Sequence, residues 1–130
     1  MKNELKIWHM GHCHCQDVTF EVRAPANVEL TVCNCSMCEM TGFLHLIVKA
    51  DDFHLLTGAD NITTYTFNTH AAKHTFCKTC GVKPFYTPRS HPDGISVNFR
   101  CVEQNGFKTV TSKDFDGQNW EANISDLRDG

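Results

Sequence analysis

Cys33-Asn34-Cys35-Ser36-Met37-Cys38 places three thiols within six consecutive positions. Cysteine thiolates are good ligands for zinc, and a tetrahedral Zn²⁺ takes four donors. Unless an outside residue completes the set, one position stays open to water or substrate. Two further pairs are far apart in the chain, Cys13-His14-Cys15 and Cys77-Lys78-Thr79-Cys80-Gly81. Together they make a complete four-sulfur set. The chemistry expected of such a pairing is a closed, structural zinc at Cys13, Cys15, Cys77 and Cys80 and a second zinc at Cys33, Cys35 and Cys38 with room for a visiting ligand. A thiol entering that room is ionised near neutral pH, because a metal-bound thiol is deprotonated outright. A thiolate attacks an aldehyde carbon to give a hydroxymethyl thioether, and the same site run backwards breaks that carbon–sulfur bond. Zinc has no redox chemistry, which disfavours an oxidoreductase at this centre.

The local spacing says how the ligands must be carried. Side chains two apart in an extended segment project to the same side, so each Cys-x-Cys implies a strand or strand end. Gly11 is expected to let the backbone turn tightly beside the first pair, and Gly42 to close the turn that brings Cys38 back. In the Cys-x-x-Cys-Gly knuckle a tight turn aims backbone N–H groups at sulfur, and Gly81 accepts a positive φ. Cys101, at the end of an alternating strand, reads as a small buried hydrophobe rather than a ligand. His12, His14 and His74 lie beside or between cysteines, yet each reads as solvated or as contacting a ligand rather than being one.

The elements between the motifs are β. Val18, Phe20 and Val22 alternate with polar Thr19, Glu21 and Arg23; Val28, Leu30 and Val32 repeat the pattern and run into Cys33. Strands are also expected over 43–49, 53–56, 62–68, with the last as hairpin partner of 53–56, then at Ile95–Phe99 and 110–115. Residues before Trp8 suit a frayed end or an added edge strand, and the proline-rich Pro84 to Pro88 suits a loop or edge. A turn is expected over Asp116 to Trp120, followed by a polar tail. No stretch of more than about ten residues sustains helical periodicity, so the chain reads as all-β, mainly antiparallel.

Bulk properties narrow the function. At 130 residues the chain fits one domain, large enough for a core and small enough to gain from metal staples. Eight cysteines with no leader pattern at Met1 to Leu5 read as metal ligation in a cytoplasmic protein rather than as a disulfide framework. A net charge of -3 supplies no basic surplus for nucleic acid, and no apolar run approaches the roughly 20 residues of a membrane span.

Read together, Gly11-x-Cys13-His14-Cys15, Cys33-Asn34-Cys35-Ser36-x-Cys38-x-x-x-Gly42, His74-x-Phe76-Cys77-x-x-Cys80-Gly81 and Val97-Asn98-x-x-Cys101 resemble the glutathione-dependent formaldehyde-activating enzyme family over about residues 9 to 121. Phe76 to Val82 and Phe85 to Ser90 are similar to its centromere protein V branch. The resemblance implies an Mss4-like, all-β fold, a structural zinc at Cys13, Cys15, Cys77 and Cys80, and a catalytic zinc at Cys33, Cys35 and Cys38. It implies a carbon–sulfur lyase whose partners are a small thiol, glutathione or similar, and an aldehyde, formaldehyde in the family's named reaction. Glutathione carries two carboxylates, so Lys73, Lys83, Arg89 and Arg100 are candidate cationic contacts, each otherwise a solvated surface charge. Two other readings compete: a non-catalytic zinc-binding interaction module with two structural zincs, and a methionine sulfoxide reductase-like enzyme using Cys101 as nucleophile.

Overall fold

The computed structural model describes residues 5–67 and 71–116. The expected turn at Asp116 to Trp120 and the tail beyond it lie outside the described residues except for Asp116. Within them the protein is mainly β, with ten strands and one short helix: β1 (Lys6–His12), β2 (Thr19–Pro25), β3 (Asn27–Cys33), α1 (Ser36–Thr41), β4 (Leu44–Lys49), β5 (Phe53–Thr57), β6 (Ile62–Tyr65), β7 (His74–Cys77), β8 (Phe85–Tyr86), β9 (Gly94–Asn98) and β10 (Thr109–Phe115). They form a three-stranded sheet in the order β1-β2-β5, a five-stranded sheet β10-β3-β4-β9-β8 and the two-stranded ribbon β6-β7.

The alternation in β2 and β3 does what period 2 demands. Phe20, Val22, Val28 and Leu30 are buried and alternate with half-buried Thr19, Glu21 and Arg23 and with exposed Asn27 and Glu29; the pattern breaks at Thr31, which is buried too. The core lies between the two larger sheets, where Phe20 and Phe53 of the first meet Phe85 of the second, with ring centroids 4.7 to 6.0 Å apart. Offset and edge contacts of this kind add about 0.5–1.5 kcal/mol each beyond the area they bury. Gly11 serves this core. It pairs with Phe20 across β1 and β2, and a Cβ at Gly11 would lie 2.3 Å from the Phe20 ring. Close approach of an aromatic ring, not a tight turn, is what requires glycine there.

Three expectations are corrected. The strand from Ile62 is not the hairpin partner of β5; β6 pairs with β7, Ile62 opposite Cys77, while β5 pairs with β2. Gly58, at φ 93, and the 3-10 turn Ala59–Asn61 carry the chain away between them. The pairings are mainly antiparallel, as expected, and among the described residues only β10 runs parallel to its neighbour, β3, from Thr109 opposite Asn27 to Phe115 opposite Cys33. Cys38 returns on a helix rather than a turn, and Phe99–Cys101 is a 3-10 turn beyond the end of β9.

One buried charge ties the connection after β4 to the first sheet. Asp52 is 6% exposed and accepts from Arg23 at 2.7 Å and Lys6 at 3.1 Å. Burial pushes its carboxyl up, but the Arg23 and Lys6 hydrogen bonds outweigh that and hold it below the ordinary carboxylate value. A depressed folded-state pKa means stability that is present above the unfolded value, near pH 3.9, and lost as pH falls through the folded one. Asp52→Asn is therefore expected to cost about 1–3 kcal/mol at pH 7. Urea unfolding at pH 7 and pH 3 checks it, since the difference from wild type should shrink on acidification.

Candidate functional site

The first cysteine cluster joins the end of β1 to the turn after β7. The sulfurs of Cys13, Cys15, Cys77 and Cys80 all lie within 4.8 Å of one another, with Cys15 Sγ 3.7 Å from Cys13 and 3.6 Å from Cys77. Each half presents donors to sulfur. The Thr79 and Cys80 amides reach Cys77 Sγ at 3.4 and 3.5 Å, Asn61 Nδ2 does so at 3.4 Å, and the Val18 amide reaches Cys13 Sγ at 3.5 Å. Gly81 takes φ 77 and its N–H closes on the Cys77 carbonyl at 2.9 Å, the geometry the knuckle spacing predicts. Gln16, at φ 68, makes the corresponding tight return after Cys15. Cys13 and Cys77 are fully buried in the core, so this cluster is continuous with the packing that holds the two ends together.

The second cluster is local. Cys33 ends β3, Cys35 caps α1 and Cys38 lies in its first turn, and their sulfurs again fall within 4.8 Å of one another. Cys35 is both cap and candidate ligand, its Sγ accepting the Cys38 amide at 3.4 Å. Gly42 stops the helix in the left-handed conformation at φ 65, and its N–H bonds the Cys38 and Glu39 carbonyls, which is why six residues suffice. Cys33 and Cys35 are half-buried and Cys38 is 3% exposed. Among the described residues no histidine or carboxylate lies within 4.8 Å of all three sulfurs, and Cys101 is not one of the group: it packs on the core, and burial, then Cys13 and Cys80 of the first cluster, push its thiol up to about 11. A thiol so held is a poor nucleophile, against its use in a reductase-like reaction.

Three thiols this close cannot all ionise without a cation between them. Hydrogen bonds from Cys33 and Cys38 pull Cys35 down to about 2, while Cys38 is pushed up by its bonds with Cys33 and Cys35 and by burial. A divalent ion between the three sulfurs would take the place of the protons they share. Soft thiolate sets of this kind and geometry suit zinc among the common ions. Both clusters are fitted to hold a metal ion, the first with four donors and the second with three.

The surroundings of the second cluster are not evident from its spacing. His45, in the middle of β4, is 4% exposed and its Nε2 lies 3.2 Å from Cys38 Sγ. Its Nδ1 lies 2.8 Å from Ser96 Oγ on β9 and 3.4 Å from the Tyr86 hydroxyl on β8. Burial, then the charge of Lys83, pull His45 down to about 4, so the ring is neutral at pH 7. With Cys38 ionised, Nε2–H donates to sulfur and Nδ1 accepts from Ser96. Tyr86 is 6% exposed, and burial together with the neighbouring cysteines keeps its phenol protonated.

Lys83, one of the four candidate cations, is not the solvated surface charge of the alternative reading: it is 6% exposed, its Nζ 2.6 Å from His74 Nδ1, 4.0 Å from the Tyr86 ring centroid and 5.0 Å from that of Phe43. Of the other candidate cations, Lys73 and Arg100 are exposed, Arg100 Nε donating to the Gly42 carbonyl at 2.9 Å, and Arg89 is half-buried. His74 is buried, as a contact of Lys83 rather than of a cysteine; His12 bonds its neighbour's carbonyl, Nδ1 to Cys13 O at 2.7 Å, and His14 is exposed. A cleft of about 640 Å³ opens on β3, β4 and β9 with His45 in its lining, but no clustered cysteine lines it.

A solved crystal structure of a Rhodobacter sphaeroides protein, a Northeast Structural Genomics target, is 31% identical and superposes with a TM-score of 0.68, covering 80% of this chain and 99% of that one. The family model for the glutathione-dependent formaldehyde-activating enzyme matches residues 8–116, a span that includes every cysteine of both clusters as well as His45, Lys83 and Tyr86. With that match over most of its length, the chain belongs to the glutathione-dependent formaldehyde-activating enzyme family.

Proposed function

We propose that the protein is a zinc-dependent carbon–sulfur lyase acting on the adduct of a small thiol and an aldehyde, glutathione and formaldehyde being the pair the family description names. Cys13, Cys15, Cys77 and Cys80 hold a structural zinc; Cys33, Cys35 and Cys38 hold a catalytic one. The observation that carries the reading is the asymmetry between the clusters, four sulfurs in one and three in the other, with no fourth ligand atom among the described residues lying within 4.8 Å of all three. Zinc at the three-sulfur centre supplies a cation that stabilises a substrate thiolate near neutral pH. The protein supplies the rest. Cys33 and Cys35 leave the centre reachable from solvent, His45 fixes Cys38 through its N–H, and Phe43 and Tyr86 pack edge to face at 5.2 Å to wall the inner side. Lys83 gives a positive charge to a site whose sulfurs are negative, as a thiolate or carboxylate substrate requires.

The test uses purified protein carrying two zinc ions per chain. Glutathione is expected to bind by calorimetry, and formation of S-(hydroxymethyl)glutathione, followed by exchange NMR against the spontaneous rate, is expected to run faster with protein than without. No binding and no rate above background would sink the lyase assignment.

A further inference from the structure

Lys83 is placed too deliberately for a surface charge. It follows the Cys77–Cys80 knuckle by three residues, and its carbonyl accepts Asn98 Nδ2 at 3.0 Å, which fixes its backbone to the end of β9. Its side chain then enters a cage of rings. His74 is stacked between Phe67, with centroids 5.3 Å apart, and Tyr86 at 4.8 Å, and Lys83 Nζ bonds the His74 Nδ1 so presented. Burial, then Lys83 itself, pull His74 down to about 4, so His74 is a neutral acceptor and Lys83 the donor. Among the described residues no carboxylate pairs with Lys83. A buried ammonium with only neutral partners is costly. The compensating charge is the second cysteine cluster, whose three sulfurs all act on Lys83 in favour of its charged form. The cage is contiguous with that cluster through Tyr86, His45 and Cys38.

Resting on the lyase reading above, we propose that Lys83 is the proton carrier of the reaction: its amine accepts the proton of an entering thiol and its ammonium returns that proton to the aldehyde oxygen as the carbon–sulfur bond forms. The balance closes without a co-reactant. The thiol S–H bond breaks, its proton goes to Nζ, and the sulfur lone pair adds to the carbonyl carbon. The C=O π pair moves to oxygen, and the oxygen takes the proton from Nζ, giving a hydroxymethyl thioether and a neutral lysine ready for the next thiol. In the reverse direction the amine removes the hydroxyl proton, the C–S bond breaks and the ammonium protonates the departing sulfur. His74 is a positioning residue, accepting one Nζ proton at 2.6 Å and so fixing where Nζ sits above the Tyr86 ring.

Burial lowers Lys83 to about 8, which leaves both its forms accessible near neutral pH, as a carrier needs. The titratable groups facing it are His74, His45, Tyr86 and the cysteines at 33, 35 and 38.

Lys83→Arg separates charge from proton transfer, since arginine keeps the charge and does not release its proton; Lys83→Met removes both. In the two-zinc protein, both variants are expected to retain both zinc ions, with Lys83→Arg binding glutathione within a few-fold of wild type. The catalysed rate should fall about 100-fold or more in each, and the wild-type rise in rate as pH climbs through about 8, where the amine is freed, should be lost. Wild-type turnover in Lys83→Arg would overturn the proton role while leaving the lyase reading intact, and loss of zinc from both variants would overturn it in favour of a structural lysine. A wild-type protein no faster than background removes the lyase reading and this proposal with it.

Discussion

Cys77→Ser is expected to abolish cooperative folding, whereas Cys33→Ser is expected to fold and bind one metal ion instead of two. The contrast follows from where each cluster stands. Cys15 and Cys77 are 62 residues apart in sequence, and their cluster joins the end of β1 to the knuckle beyond β7 with Cys13 and Cys77 fully buried. A metal closing so long a loop removes freedom from the unfolded chain, and structural zinc contributes about 10–16 kcal/mol in small domains. Domains of this size have only about 5–15 kcal/mol in total, so loss of that ligand set should leave no stable fold. Cys33, Cys35 and Cys38 span six residues between β3 and α1, elements already held by the β3–β4 and β3–β10 pairings. Cys33→Ser should cost no more than about 2 kcal/mol, in the range of ordinary substitutions. Metal content by mass spectrometry and urea unfolding read both variants. Equal collapse of the two would make the second cluster structural and remove the argument for its open position.

The clusters were legible in the sequence because ligand spacing is a local property. Cys-x-Cys and Cys-x-x-Cys-Gly specify the backbone that carries them, and the positive φ at Gly81 followed from the same local geometry, whereas the helix that Gly42 ends was read as a turn. Partnerships between distant strands were not local. Consecutive strands usually pair, which made 62–68 look like the return of 53–56, but nothing in either segment encodes the Ile62–Cys77 register that places the knuckle. The parallel join of β10 to β3 is invisible for the same reason. Charge was the other blind spot. His45 reads as one polar residue in an apolar strand, the single sequence signal that something waits for it inside; Lys83 between Val82 and Pro84 carries no such signal, because its burial is decided by rings from Phe43, His74 and Tyr86. The side chains that tune the second cluster thus come from four different elements, while its sulfurs come from one short segment.

His45 carries the second large expectation. β4 lies between β3 and β9 in the five-stranded sheet, with His45 opposite Thr31 on one side and Asn98 on the other, so the ring cannot swing to solvent. A neutral imidazole that donates Nε2–H to an ionised Cys38 lowers the charge density on that sulfur and fixes its direction, and Ser96 holds the tautomer by donating to Nδ1. Residues that orient a ligand in this way typically account for 10–100-fold in metal affinity. His45→Leu is expected to weaken metal binding at the three-cysteine cluster by about that factor while leaving the four-cysteine cluster unchanged, and Ser96→Ala should act in the same direction with a smaller effect. Cobalt titration against a chelator, read through the thiolate-to-cobalt absorption, resolves the two sites. His45→Leu also leaves the Ser96 hydroxyl without its acceptor in a fully buried position, so a stability loss of about 1–3 kcal/mol should accompany it; His45→Gln, which keeps a donor and an acceptor at this depth, should recover part of both. An affinity at the second cluster that is the same in all three variants would mean the Cys38 contact is a consequence of packing and does not tune the sulfur.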